Sequence, residues 1–321
     1  MKAATIWLCT VLLAIAGPAC AQPYPSKPVK IVVPAGPGAP PDVRARWLAE
    51  KLAPALAQPV IVDNKAGAAG IIGTELVAKS PADGYTLLLA HQGTFAVNPH
   101  LYDRLAYDPL TDFAPITRLV VSALLLAVHP ETPVASVAEL TKLAKERRGQ
   151  LAFGSPGSGT PPHIAAELFK WMAGIDAVHV PYKAAPSALL DLMAGRLTYT
   201  FDSLSIQMPQ VRAGKIRALG VTSPQRLRLM PDIPTIAESG VPGFEYWSWQ
   251  GICAPAGTPK EIVTRLNEEI VRILSTREAR DWFAAQGGEP MGETPQQFAT
   301  FIRAEHARLG KLVRAARIKA D

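Results

Sequence analysis

Short apolar runs alternate with segments of helical pattern along the chain from residue 29 onward. In the first third, three apolar runs have the length and composition of buried strands, at residues 29–33, 60–62 and 85–90. Helical patterns lie between them, and Asp42 occupies an N-cap position before the first helix. The order strand, helix, strand, helix, strand predicts a parallel sheet that is covered by helices on both faces.

The same pattern restarts near Leu124 and predicts a second unit of the same kind. Its strands are expected at residues 124–128, 151–154, 177–180, 197–201 and 216–221, with helices at 137–146, 161–173 and 185–194. An alternating aromatic stretch at 244–249 predicts a further strand, and the tail from 259 to 318 is mainly helical with a break at Gly287 and Gly288. The predicted fold class is therefore α/β, with two lobes that are each a mainly parallel sheet flanked by helices.

The two predicted lobes are formed by different parts of the chain. Lobe 1 is expected to contain residues 22–122 and 247–321, and lobe 2 residues 123–246. The helical tail is expected to pack back on lobe 1, and the second crossing falls somewhere between residues 221 and 251. Because no low-complexity linker separates two independent modules, we expect the chain to cross between the lobes on strands.

Residues 1–21 have the organisation of a signal peptide. Lys2 is followed by an uncharged, mostly apolar run, and a small-x-small cleavage site precedes Gln22. The run is shorter than the roughly 20 apolar residues that span a bilayer, which favours a cleaved signal over an anchor. Cys20 leaves lipidation open, although the glycine and proline before it make a poor lipidation motif. We expect a mature, soluble protein in the periplasm.

Composition and charge narrow the class of ligand. Apolar residues make up 48% of the chain and charged residues 19%, which is the balance of a globular protein. The formal net charge is +6, and this mild excess favours an anionic ligand. Basic and aromatic residues are not interleaved in any stretch, so we expect no nucleic-acid partner. Cys253 is the one cysteine after the predicted signal peptide, so no internal disulfide can form.

Three glycine-rich loops each follow a strand and precede a helix, where unpaired N–H groups can bind an anion. They lie at residues 34–41, 65–73 and 155–160. None fits a nucleotide motif, because the first lacks a third glycine, the second lacks an acidic residue after the next strand, and the third lacks a lysine. We interpret the glycines of the second loop as turn residues. The first and third loops, one in each predicted lobe, are expected to face each other and bind a carboxylate.

Catalytic patterns are scarce in this sequence. The six histidines have no metal-ligand spacing, and no Gly-x-Ser-x-Gly motif supports a hydrolase nucleophile, so no metal or cofactor is expected. Cys253 is expected to be a buried, inert thiol. His163 starts the helix after the third loop, where it either contacts a bound anion or is a helix-start histidine. A periplasmic enzyme acting on a small organic acid stays as the alternative, and the missing motifs favour a binding protein.

Several stretches together resemble the Bug-type extracytoplasmic receptors, the solute-binding components of tripartite tricarboxylate transporters. The stretches include YPSKPVKIVVP from Tyr24, QPVIVDNKAGAAGIIGTELVAKSPADGYTLLL from Gln58, GSGTPPHIAAELF from Gly157 and LMPDIPTIAESGVPGF from Leu229. The resemblance extends over almost the whole chain after the signal peptide. It implies a two-lobed periplasmic binding protein fold of type II that holds a small carboxylate between its lobes, with aromatic and dicarboxylic acids both open. It also implies membrane permease subunits as partners, and we expect a monomer.

The resemblance further implies where the carboxylate binds. In such receptors two loops hold the ligand, largely through backbone groups and bridging waters. Carried over by position, the ligand-binding residues are Pro34, Ala35, Gly36, Gly38, Ala39, Asp42, Gln92, Thr94, Ser155, Gly157, Thr160, His163, Tyr182, Lys183 and Asp202. Thr160 is the best side-chain donor of the third loop, and Thr160→Val is expected to weaken binding about ten- to a hundredfold with stability unchanged.

The first loop departs from the pattern that is usual in this family. Ala35 stands where a bulky ring is common, Ala39 replaces a glycine and Pro41 replaces a hydroxyl donor. Pro40 and Pro41 also remove two backbone N–H groups. In the second lobe Ala184 replaces a glycine. A binding site with fewer hydrogen-bond donors and smaller side chains favours a larger or less polar ligand, or binds the usual ligands of the family more weakly.

Overall fold

The computed structural model describes residues 24–183 and 185–319, which form two mixed β-sheets flanked by helices. The α/β class predicted from the sequence is confirmed. The predicted signal peptide, Cys20, the cleavage site before Gln22 and Ala184 lie outside the described residues. Among the helices of the described part, none combines the length and the apolar character that crossing a membrane requires.

Strands and helices alternate through most of the chain. In chain order the elements are β1 (Val29–Val33), α1 (Pro40–Leu56), β2 (Val60–Asn64), α2 (Ile71–Ala78), β3 (Thr86–His91), α3 (Asn98–Leu101), β4 (Phe113–Ser122), β5 (Leu124–Val128), α4 (Val137–Glu146), β6 (Ala152–Ser155), α5 (Pro161–Ala173), β7 (Val178–Pro181), α6 (Ala185–Met193), β8 (Tyr199–Ser203), α7 (Leu204–Arg212), β9 (Arg217–Val221), β10 (Ser248–Pro255), α8 (Lys260–Leu274), α9 (Arg277–Ala285), β11 (Gly288–Pro290) and α10 (Pro295–Ala315).

The first sheet has six strands in the order β11-β4-β10-β3-β1-β2. β1 is parallel to both β2 and β3, whereas β10 is antiparallel to β3 and β4. The strands β1, β2, β3 and β4 therefore all end at the same edge of the sheet. Alternate residues of β1 pack on opposite faces: Ile31 lies in a cluster with Leu48 of α1 and Leu266 of α8, and Val32 lies in a cluster with Phe298 of α10.

The second sheet has five strands in the order β7-β6-β8-β5-β9. β6 is parallel to β7 and β8, whereas β5 is antiparallel to β8 and β9. One face packs against α4 and α5 through Leu140 and Phe169, and the other packs against α6 through Leu192. The loop after β6, which precedes α5, therefore lies at the carboxyl edge of the parallel strands.

Each sheet contains a reversed strand at the point where the chain arrives from the other sheet. The chain passes from β4 to β5 through Ala123, and it returns to the first sheet at β10. Because β5 and β10 are both antiparallel to their neighbours, and β11 adds a third reversed strand, the sheets are mixed rather than mainly parallel. The lobe boundaries given above stay a prediction.

The tail helix α10 contacts the cores of both sheets. Phe298 and Ile302 join a buried cluster with Trp249 of β10, on the first sheet. Leu309 and Val313, two to four turns further along, join the hydrophobic core of the second sheet. The tail helix therefore contacts both sheets, whereas the sequence predicts that it packs on lobe 1.

Two local predictions are wrong. Asp42 is not the N-cap of α1: the helix begins at Pro40 after Ala39, because proline fits the first helical turn where no N–H bond is needed. Of the strand predicted at 244–249, only the last two residues are in a strand, because β10 begins at Ser248. Phe244 and Tyr246 lie in irregular chain and are buried in the hydrophobic core of the second sheet.

Candidate functional site

Loops from both sheets meet at the edge where β1, β3 and β6 end. The closest approach joins Gly93, after β3, to Gly159, before α5: a Cβ atom at Gly93 would lie 2.9 Å from the carbonyl oxygen of Gly159. Asn98 lies at the same junction, because its Nδ2 donates to the carbonyl oxygen of Ala69 at 3.1 Å and its Oδ1 would lie 2.6 Å from a Cβ atom at Gly159. We call this region the loop convergence, which comprises residues 34–39, 67–73, 91–98 and 155–160.

Gly70 belongs to the loop convergence, although its sequence context predicts only a turn residue. A Cβ atom at Gly70 would lie 2.9 Å from Cγ2 of Thr94 and 3.1 Å from the carbonyl oxygen of Pro34. Its φ of +87° is also in the left-handed region that favours glycine. Gly70 thus allows three loops to approach one another. Its position after β2, the strand beside β1, was the available signal, since neighbouring parallel strands end at a common edge.

The first predicted binding loop is held by Asp42. The carboxylate of Asp42 accepts hydrogen bonds from the N–H of Gly38 at 2.8 Å, from Nε of Arg46 at 3.1 Å and from Nδ2 of Asn64 at 3.0 Å. Burial opposes the charge of Asp42, but these partners together lower its pKa below the ordinary value. The N–H of Ala39 donates to the carbonyl oxygen of Gly36 at 3.3 Å. The donors of Gly38 and Ala39 are therefore used within the loop, and Asp42 is an anion that braces it.

The second predicted binding loop is also braced from within. The N–H of Gly157 donates to Oγ of Ser155 at 3.2 Å, and both the N–H and Oγ1 of Thr160 donate to the carbonyl oxygen of Gly157, at 3.3 and 2.7 Å. The N–H of Tyr182 donates to the carbonyl oxygen of Ser155 at 2.9 Å, which joins β7 to this loop. The structure thus brings Ser155, Gly157 and Thr160 together in one braced loop, which the backbone of Tyr182 joins, while the hydroxyl of Tyr182 donates to Asp191 at 2.6 Å.

Two buried histidines support the contact between the loops. The N–H of Gly93 donates to Nδ1 of His91 at 3.1 Å, and the N–H of Gly159 donates to Nδ1 of His163 at 3.1 Å. Burial lowers the pKa of His91 to about 4, and burial, aided by the charges of neighbouring basic residues, lowers the pKa of His163 to about 3. Both rings are therefore neutral at physiological pH, as acceptors of these N–H groups must be. His163 is 2% exposed, which favours a loop-supporting role.

Gln92 ties the end of β3 to the chain that returns from the second sheet. Its Nε2 donates to the carbonyl oxygen of Trp247 and to a carboxylate oxygen of Glu305, both at 3.0 Å, and its Oε1 accepts from the hydroxyl of Tyr246. Arg308 in turn donates to Glu305 at 2.6 Å. The amide of Gln92 is thus fully used, and only its backbone remains for the predicted ligand contact. Thr94 is similar, because its Oγ1 donates to the carbonyl oxygen of His91.

Asp202 and Lys183 occupy different surroundings at this edge. Lys183 is exposed. Asp202 is 6% exposed, and its Oδ1 accepts a hydrogen bond from the N–H of Ser203 at 2.7 Å. Since Gly154 of β6 pairs with Thr200 of β8, Asp202 lies level with the start of the loop at 155–160. Burial raises the pKa of Asp202 to about 7. Near neutral pH it is partly protonated, and its protonated form can donate a hydrogen bond to an anion.

The residues described at the loop convergence offer groups that can bind an anion. Within residues 24–183 and 185–319, no three His, Cys, Asp or Glu side chains are grouped closely enough to hold a metal ion. Cys253 is buried, and burial raises the pKa of its thiol, so the predicted inert thiol agrees with its surroundings. Two surface hollows of about 340 and 540 Å³ lie near Trp47 and His129, and no predicted ligand-binding residue lines either of them.

Comparison with known proteins identifies the family of this chain. The sequence pattern of the tripartite tricarboxylate transporter family receptor (TctC) matches residues 44–318. The chain belongs to this family. BugT of Bordetella pertussis is 37% identical to it over 301 residues, which cover 94% of this chain and 92% of BugT. The resemblance to Bug-type receptors is therefore confirmed.

Solved structures of related receptors have the same fold. Rpa4515 of R. palustris with adipate has a TM-score of 0.88 and 39% identity, and the match covers 92% of this chain and 99% of that chain. MatC (Rpa3494) from Rhodopseudomonas palustris with bound malate has a TM-score of 0.82 and 30% identity, over 90% and 100% of the two chains. The periplasmic binding protein BugD has a TM-score of 0.85 at 32% identity. The chain is thus a solute-binding receptor, and these relatives give the enzyme alternative no support.

The structure changes the expected result for Thr160→Val. Because the hydroxyl proton of Thr160 is directed to the carbonyl oxygen of Gly157, its loss removes a bond within the loop. We expect the free energy of unfolding to fall by about 1 kcal/mol and ligand affinity to fall less than about tenfold. Chemical denaturation and calorimetric titration measure both, and Thr160→Ser, which keeps the hydroxyl, should behave like the wild type. Binding that is ten- to a hundredfold weaker with unchanged stability would instead assign the hydroxyl to the ligand.

Proposed function

We propose that the mature protein captures a small carboxylate at the loop convergence, between its two sheets, and passes it to membrane permease subunits of a tripartite transporter. The contact between Gly93 and Gly159 carries this proposal, because it brings together the loops at the carboxyl edges of both sheets. Ligands of open α/β sheets bind at such edges. Relatives with bound adipate and malate support a carboxylate as the ligand class.

Two helix N-termini add electrostatic support to this place. α1 follows the first loop and α5 follows the loop at 155–160, so both helices begin at the loop convergence. The positive end of a helix dipole stabilises an anion within about the first turn. Asp202 adds a carboxyl group that is partly neutral near pH 7 and therefore repels an anion less than an ordinary aspartate does. The predicted ligand-binding residues stay proposals within this account, with Gln92, Asp42 and His163 assigned to holding the loops.

We also propose that the mature protein begins at Gln22 and acts as a monomer in the periplasm. Receptors of this family are periplasmic, and we assign residues 1–21 to a signal peptide that is removed before Gln22. One chain supplies the loops of both sheets, so the proposed site is complete in a monomer. A monomeric receptor that closes around its ligand can present a changed surface to a permease.

Calorimetric titration of ligand-free protein tests the ligand class. The protein is denatured, dialysed and refolded to remove bound solute, and is then titrated with malate, adipate, hexanoate and adipamide. We expect saturable binding of at least one acid and no binding of adipamide, which has the length of adipate without its charge. Adipamide that binds as tightly as adipate, or a protein that binds none of the acids, would contradict the proposal.

A further inference from the structure

Arg44 is a buried cation that forms no ion pair with the acidic side chains of the described part of the chain. Its side chain is 2% exposed, and among the described residues no carboxylate lies within 4.0 Å of its guanidinium. Its Nη2 donates to Oγ of Ser122 at 2.8 Å, while its Nε has no hydrogen-bond partner within residues 24–183 and 185–319. Burial lowers the pKa of Arg44 to about 10, which still leaves it charged at neutral pH. A buried charge that is not paired is costly, so its presence requires an explanation.

The guanidinium lies at the junction of the two sheets. Arg44 is in the first two turns of α1, directly after the first loop of the convergence, and its side chain reaches Ser122, the last residue of β4. The next residue, Ala123, carries the chain into the second sheet. The end of β4 is at the same edge of the first sheet as the ends of β1 and β3. Arg44 therefore lies on the side of the first sheet, five residues after Ala39 of the loop convergence and in contact with the last residue before the crossing.

The first loop itself has few donors to offer an anion. Pro34, Pro37, Pro40 and Pro41 have no N–H group. The N–H groups of Gly38 and Ala39 already donate to Asp42 and to Gly36. The backbone anion site that the resemblance implies at this helix start is thus depleted, while a permanent positive charge lies one turn behind it. These two observations are independent and point to the same group.

We propose that Arg44 binds a carboxylate of the ligand and makes the receptor selective for dicarboxylates, whose other carboxylate lies against the loop at 155–160. This inference rests on the proposed function. Because the guanidinium is buried at the crossing, the ligand reaches it when the two sheets move apart about Ala123. Arg44 then exchanges its single bond to Ser122 for a paired interaction with the carboxylate, a geometry that its planar guanidinium favours.

The test compares a dicarboxylate with a monocarboxylate of the same chain length. Wild-type protein, Arg44→Met and Arg44→Lys are titrated with adipate and with hexanoate. We expect Arg44→Met to bind adipate about ten- to a hundredfold more weakly and to bind hexanoate within about threefold of the wild type. Arg44→Lys keeps the charge but not the paired geometry, and its affinity for adipate should be intermediate. Met has a similar length and suits a buried site, so both variants should fold, which circular dichroism checks.

Ser122→Ala is the matched control, because it removes the partner of Arg44 and leaves its charge in place. We expect it to keep the preference of the wild type for adipate over hexanoate. A preference that survives in Arg44→Met, or an equal loss of both ligands in that variant, would overturn the role of Arg44 while leaving the proposed function intact. A wild-type protein that binds hexanoate as tightly as adipate would also overturn it. Wild-type protein that binds neither acid, nor malate, would contradict the proposed function and the role of Arg44 with it.

Discussion

Asp202→Asn should raise the free energy of unfolding at pH 8 and leave it nearly unchanged at pH 4. Burial raises the pKa of Asp202 from 3.8 to about 7, so the folded protein holds a proton between these values that the unfolded chain releases. The contribution of Asp202 to the free energy of unfolding is therefore fully present below pH 4 and is lost as the pH rises to 7 and above. A shift of this size corresponds to as much as about 4 kcal/mol at pH 8, since one pKa unit is about 1.4 kcal/mol. Asparagine keeps the acceptor for the N–H of Ser203 without the charge.

Urea denaturation of the wild type and the variant between pH 4 and pH 8 measures this effect. The difference between the two proteins isolates Asp202, because His91 and His163 are common to both. Asp42→Asn is the matched control with the opposite sign: partners lower the pKa of Asp42, so its contribution is present at neutral pH and is lost as the pH falls. If the difference in the free energy of unfolding between the wild type and Asp202→Asn does not change with pH, burial does not raise the pKa of Asp202 and the account of this carboxyl is wrong.

Gly159→Ala should both destabilise the protein and disable the proposed ligand site. Gly159 has a φ of +80°, a conformation that costs a residue with a Cβ atom about 1–2 kcal/mol. The added Cβ atom would also lie 2.6 Å from Oδ1 of Asn98, so Asn98 must move and its bond to Ala69 is disturbed. Together we expect a loss of about 2–4 kcal/mol in the free energy of unfolding and at least about tenfold weaker binding.

Gly174→Ala separates the strain of the backbone from the damage to the loop convergence. Gly174 ends α5, the helix that Gly159 precedes, and it has a φ of +62° with no atom within 4 Å of an added Cβ atom. We expect it to lose about 1–2 kcal/mol in stability and to bind ligand as the wild type does. Thermal denaturation and calorimetric titration of both variants give the comparison. If Gly159→Ala behaves like Gly174→Ala in both measurements, the contact between the loops is not part of the site.

Elements with strong local signals were predictable from the sequence. Helix α4 lies at the predicted residues because Ser136 caps it, accepting from the N–H of Glu139, and α5 does so because Pro161 fits its first turn and Gly174 ends it. β4 has no such signal. Its bulges and Arg118 interrupt the alternation of apolar residues, and its partner β10 lies more than a hundred residues later in the chain.

The position of the site was predictable from the sequence, but the hydrogen bonds that its residues make were not. The loops that follow buried strands indicate which edge of the sheet carries the site, because parallel strands end together. The sequence does not indicate which donors a loop uses internally. Asp42, Gln92 and Thr160 all satisfy neighbours within the fold, and only the folded structure brings Tyr246 and Glu305 to Gln92. Arg44 had no signal either, since a charged residue in a helix is usually exposed.

A crystal structure of the protein with its tightest-binding acid tests the central claim most directly. The account predicts electron density for the acid at the loop convergence, with contacts to the loop at 155–160 on one side and to the first sheet, at residues 34–39 or Arg44, on the other. Soaking at a concentration near the dissociation constant excludes weak surface binding. An acid bound instead in the hollow near Trp47 or near His129, or one that contacts the loops of a single sheet only, would contradict the account.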